Sequence, residues 1–70
     1  MSGHSIARVT EVICSSPISF DDAIRKGIER AASTLDNITG AWVQDQKVVC
    51  ENGVITDYRV AMKITFVLNE

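Results

Sequence analysis

The seventy residues read as an α+β domain of order β-α-β-β, a three-stranded antiparallel sheet wrapped round one helix. Three observations predict this. Apolar residues recur at helical spacing between Phe20 and Leu35, Asn52-Gly53 separates two strand-like stretches, and the last stretch alternates in period two.

Residues 6 to 13, IARVTEVI, mix polar and β-branched side chains and read as the first strand, which CSSPIS then breaks. Ser19 is a good helix N-cap. Asp22 stands at N3, a variant of the capping box with Asp in place of Glu. From there Phe20, Ala23, Ile24, Gly27, Ile28, Ala31 and Leu35 form one apolar stripe, which predicts an amphipathic helix over about Phe20 to Leu35. The opposite side carries Asp21, Asp22, Arg25, Lys26, Glu29 and Arg30 and reads as a solvated surface. Asp21–Arg25 and Asp22–Lys26 are acid-before-base pairs at i, i+4, each expected to contribute about 0.2–0.5 kcal/mol.

Asp36 and Asn37 end the helix, and a second strand is expected from about Gly40 to Cys50. Asn52-Gly53 is a hairpin signal because both central residues of a type I′ turn need positive φ. In the last strand, about Thr56 to Leu68, Tyr58, Val60, Met62, Ile64, Phe66 and Leu68 point one way, while Asp57, Arg59, Lys63 and Asn69 point the other. A two-residue turn sets Glu51 opposite Val54, and hence Val43 opposite Met62, Trp42 opposite Lys63 and Val60 opposite Asp45. Directly paired residues share a face. The helix-side face then collects Ala41, Val43 and Val49 with the apolar row. The outer face collects Gly40, Trp42, Gln44 and Gln46 with Arg59, Ala61 and Lys63. Trp42, the only tryptophan, thus lies outside the layer that packs on the helix, as an interface aromatic or a stacking surface for a ligand. The last strand also outreaches its cover. It spans about 43 Å at ~3.3 Å per residue, and the helix only about 24 Å, so a neighbouring subunit is expected to shelter the overhang.

Composition narrows the function. Seventy residues make a single small domain, 1–70, short enough to need a staple or partners. Cys14 and Cys50 form no metal-ligand spacing and read as two reduced thiols of a cytoplasmic protein. The net charge of -2 gives no basic footprint for nucleic acid, and no apolar run suits a membrane span or a signal peptide. His4 lies in an N-terminal tail, no histidine stands ready to activate Cys14, and the four glycines form no phosphate loop. No enzyme emerges from these residues.

Four stretches carry a resemblance: SSPISFDDAI at the strand-to-helix turn, ASTLDNI at the helix end, YRVAMKITFVL in the final strand, with Tyr58, Val60 and Phe66 at familiar positions, and VQDQ in the second strand. Through them nearly the whole chain, without a gap, resembles the dodecins, small flavin-binding proteins of β-α-β-β fold, in which the stretch similar to VQDQ follows the flavin site. Each motif is weak alone; together, at these spacings, they identify the family.

The resemblance implies a hollow homododecamer that sequesters flavin without turning over a substrate. In the flavin-binding members the isoalloxazine ring stacks on a tryptophan near the start of the second strand, and a glutamine after the tyrosine of the third strand hydrogen-bonds it. Here Gly40 and Arg59 hold those two positions. Gly40 offers no stacking surface, and Arg59 can donate but not accept. Trp42, two residues on, stays on the same face. The expected ligand set is therefore Gly40, Trp42, Gln44, Gln46, Arg59 and Lys63, taking FMN, riboflavin or FAD weakly. With Arg59 and Lys63 on that face, a phosphorylated flavin is expected to bind better than riboflavin and to be weakened by salt. The alternative the resemblance implies is a flavin-free structural or ion-binding shell, with calcium the proposed ion in one member and no residues assignable to it here.

Overall fold

The computed structural model describes residues 6–68. Strand β1 (Ala7–Ser16) leads into helix α1 (Phe20–Ala32), followed by strands β2 (Ile38–Glu51) and β3 (Val54–Val67). The sheet is antiparallel in the order β1-β3-β2, so β3 is the central strand. The expected β-α-β-β architecture is the one observed. His4 lies outside the described residues.

CSSPIS does not break the first strand as a unit. Cys14, Ser15 and Ser16 continue β1 opposite Val60, Arg59 and Tyr58, and the ladder stops at Pro17, which has no N–H to offer. Buried Ser16 then ties the corner: its hydroxyl donates to Asp22 Oδ2 at 2.7 Å and accepts from the Ile18 N–H at 3.0 Å. Ser19 caps the helix as expected, its Oγ accepting from the Asp22 N–H at 3.0 Å. Because Asp22 is engaged by Ser16, the expected Asp22–Lys26 pair does not form. The ion pairs among the described residues are Arg59–Asp57 and Lys63–Glu11, so Asp21–Arg25 does not form either. Solvated i, i+4 pairs on an exposed face gain too little to hold two mobile side chains together.

The helix ends at Ala32, three residues short of the expected Leu35. There the last turn tightens, with the Ser33 N–H donating to Arg30 O at 3.2 Å and the Thr34 N–H to Ala31 O at 3.1 Å. Asn37, at φ 62, turns the chain into β2.

The core is small. Ala23, Val60 and Met62 form its centre, with Val12, Cys14, Phe20, Ile24 and Ile28 packed round it. Phe20 meets Tyr58 edge to face, ring centroids 5.2 Å apart. Gly27 lets β1 approach the helix closely: a methyl group there would overlap the Cys14 sulfur and press on Met62 Cε. Burial pushes the Cys14 thiol above its ordinary pKa.

Helix α1 packs on β1 and β3, leaving β2 uncovered. Ala41 and Val43, expected beneath the helix, are therefore exposed, Val43 at 39%. The expected overhang is present. Thirteen helical residues cover about 20 Å, whereas the 14 residues of β3 span about 46 Å. Val48, Val54 and Ile55 stand exposed on the hairpin beyond the helix.

Candidate functional site

The outer face of the sheet is shaped by the hairpin and its irregularities. Asn52 (φ 53) and Gly53 (φ 78) form the turn with both φ values positive, and Glu51 pairs with Val54 as expected. Two bulges follow. Thr56 is an extra residue on β3, its Oγ1 donating to Val49 O at 3.2 Å, and Gln44 is an extra residue on β2. The first slips the register by one and the second restores it. A further bulge at Thr39 follows beyond Gly40.

Each expected ligand residue can now be placed. Trp42 pairs with Lys63 and Val43 with Met62, as a simple two-residue turn requires. Gly40 pairs with Thr65 on the outer face, with nothing within 4 Å of where a Cβ would stand. Gln44 is the bulged residue and has no partner on β3. Gln46 is not on the Trp42 face. It pairs with the buried Val60, in place of the expected Asp45, and so belongs to the helix side. The same slip pairs Val49 with Asp57, away from the helix, correcting its expected inward position. Arg59 is on the outer face, four residues from Lys63, a separation of about 13 Å along the strand.

The slip brings in residues that strict period-two alternation leaves out. Asp45 pairs with Ala61 and Lys47 with Arg59, so both face outward. With Ile13 from β1 and the intervening Gln46 they line a hollow of about 380 Å³ beside Arg59 and Ala61. β1 adds Glu11 opposite Lys63, which strand order alone decides.

Charges on this face are matched. Arg59 Nε lies 3.1 Å from Asp57 Oδ2, and Lys63 Nζ lies 3.7 Å from Glu11 Oε2. The same ammonium sits 5.9 Å from the centroid of Trp42, within cation–π range. Trp42 is 48% exposed, on a face the helix does not cover. It is not ordinary core. The geometry offers a flat apolar surface, a cation poised over it and a neighbouring open strand position.

The dodecin family profile matches residues 6–69. The chain belongs to the dodecin family. It is 27% identical over 62 residues to the calcium dodecin of Mycobacterium tuberculosis, covering 89% of this chain and 87% of that protein. Among solved structures it is similar to the dodecin from Streptomyces davaonensis, at 37% identity and a TM-score of 0.92 over 97% of this chain and 100% of that one. The dodecin from Streptomyces coelicolor matches at 32% identity and a TM-score of 0.92, over 99% of each chain. The calcium dodecin structure, of a calcium-chelating protein with a novel calcium-binding site, matches at 29% identity and a TM-score of 0.80 over 93% of each chain.

Gly40 and Arg59, the positions where the resemblance implies a stacking tryptophan and a ring-binding glutamine, can be described by their surroundings. Gly40 leaves open space, and Arg59 is held by a carboxylate. Among the described residues no three His, Cys, Asp or Glu side chains gather in a metal-binding group, and no helix is long and apolar enough to cross a membrane. Cys14 and Cys50 are free thiols.

Proposed function

We propose that this dodecin is a non-catalytic, cytoplasmic homododecamer that weakly sequesters a flat small molecule, a flavin ahead of others. The half-exposed indole of Trp42, on a sheet face the helix leaves open, carries this reading. Trp42 serves as the stacking surface, Gly40 leaves room for the ring edge, and Gln44, Lys63 and Arg59 supply polar contacts. Assembly is supported by the uncovered β2 and the apolar hairpin overhang, which a monomer leaves in water. Residues 1–70 act as one domain, without nucleic-acid or membrane partners. Titrating the intrinsic Trp42 fluorescence with riboflavin and FMN tests the site, and saturable quenching is expected. Quenching that never saturates would overturn it. Light scattering tests the assembly, and a monomer at micromolar concentration would refute that part.

One observation favours a second reading, a flavin-free ion-binding shell. The open space at Gly40 provides no second stacking surface, and a relative is a calcium dodecin. Since no described cluster of one chain suits a metal, calcium would have to be shared between chains. Calcium titration of the assembly, with no flavin quenching, would favour this reading.

A further inference from the structure

Three strands contribute one residue each to a row across the outer face: Glu11 on β1, Lys63 on β3 and Trp42 on β2. Lys63 has two partners at once, the Glu11 carboxylate at 3.7 Å and the indole centroid at 5.9 Å. Arg59 is paired in the same way with Asp57. Register and alternation place the acids Glu11, Asp45 and Asp57 on this face with the bases Lys47, Arg59 and Lys63, three of each, and Glu51 follows on the same side only at the hairpin end, nine residues and about 30 Å along β2 from Trp42. A ring stacking on the side of the indole that Lys63 covers has to move the ammonium aside, against the pull of Glu11.

We propose that Glu11 sets the charge selectivity of the Trp42 face. It holds Lys63 as half of a neutral pair, so a flat ring is accepted with little regard for a phosphate tail. Removing its charge turns the same face into one that prefers anions. This rests on Trp42 being the stacking surface. It reverses the expectation that Arg59 and Lys63 alone make a phosphorylated flavin the better ligand, because each is matched by a carboxylate. An ordinary cross-strand Glu–Lys pair would contribute a little stability and nothing more. What distinguishes this pair is its position over the chain's single tryptophan, where its charge governs what approaches the ring.

Glu11→Gln keeps the shape and removes the charge, and two readouts follow it in the full-length protein. In the first, Trp42 fluorescence is quenched by iodide and by caesium, each normalised to neutral acrylamide. The iodide-to-caesium ratio should rise about two- to fivefold in Glu11→Gln, the range an exposed ion pair spans, and should fall in Lys63→Met, which leaves the Glu11 carboxylate unmatched on the same face. A ratio unchanged by Glu11→Gln overturns the proposal. In the second, native protein should bind riboflavin and FMN within about twofold of each other, and Glu11→Gln should favour FMN by about two- to fivefold. That preference should vanish at roughly 0.5 M salt, where screening acts within about 4 Å. Native protein that already prefers FMN more than fivefold overturns it as well. If neither flavin quenches any variant, the flavin-binding reading fails, while the ionic quenchers still decide whether Glu11 governs the charge at Trp42.

Discussion

Strands β2 and β3 are two halves of one hairpin, equal at 14 residues, yet one is core and the other surface. On β3, Val60, Met62 and Ile64 are fully buried. On β2 every residue except Ile38 and Val49 is exposed. Apolar content is not the main difference, since β2 also carries Ile38, Trp42, Val43, Val48 and Val49. It lies in position: β3 has a strand on either side and the helix above, while β2 is an edge beyond the helix's reach. The same apolar side chains that stabilise a fold in one strand are available for contacts in the other.

The sharpest break of that contrast is a pair of truncations at one cross-strand position. Met62→Ala should cost about 2–5 kcal/mol in chemical denaturation. Val43→Ala, its partner on β2, should cost under about 1 kcal/mol in the isolated chain, being partly in water already, but should weaken assembly on dilution if β2 docks on a neighbour. Equal stability losses would show that β2 is as buried as β3.

Next in size is a gain. Gly40 faces open space on β2, so Gly40→Trp should fit and add a second aromatic surface. Flat-ligand affinity should rise by the equivalent of about 1–3 kcal/mol, the scale of base–aromatic stacking, measured by Trp fluorescence titration. No gain would mean that ligands do not stack on this part of the face.

Gly27 is the opposite case. Gly27→Ala drives a methyl into the Cys14 sulfur, and overpacking costs typically about 1–3 kcal/mol, of which better helix propensity returns up to about 1 kcal/mol. A net thermal destabilisation is expected, largely relieved by adding Cys14→Ala. The smallest effect separates the two thiols. Cys50 on β2 is exposed, whereas burial raises the Cys14 pKa, so iodoacetamide near pH 8 should alkylate Cys50 first. The raised pKa also carries a sign: stability is complete below the pH where an unfolded thiol ionises and falls as pH rises through the folded value. Cys14→Ala should flatten that alkaline loss.

Much of the contrast between the strands is legible in the amino-acid sequence alone. Ser19, the helical stripe, Asn52-Gly53 and the alternation of the last strand rest on neighbouring residues, and local physics decides them. The Trp42–Lys63 and Val43–Met62 pairings hold although two bulges intervene, because the slips cancel. What lies between the bulges is not legible. An extra residue in a strand costs little locally and leaves no compositional mark, so alternation alone puts Gln46 on the Trp42 face and leaves Asp45 and Lys47 off it. The first strand outruns its expected break at Cys14 for a similar reason: the serines that favour turns are held in β1 by pairing with β3.

Local periodicity and turn chemistry in the sequence therefore determined which elements form, in what order, and that Trp42 faces away from the helix. Only the tertiary structure decided that β3 lies between the other two, that the short helix shelters β1 and β3 but not β2, and that Glu11 reaches Lys63 beside the indole. Those are consequences of strand order and register, which depend on contacts between residues as far apart in the chain as Glu11 and Lys63.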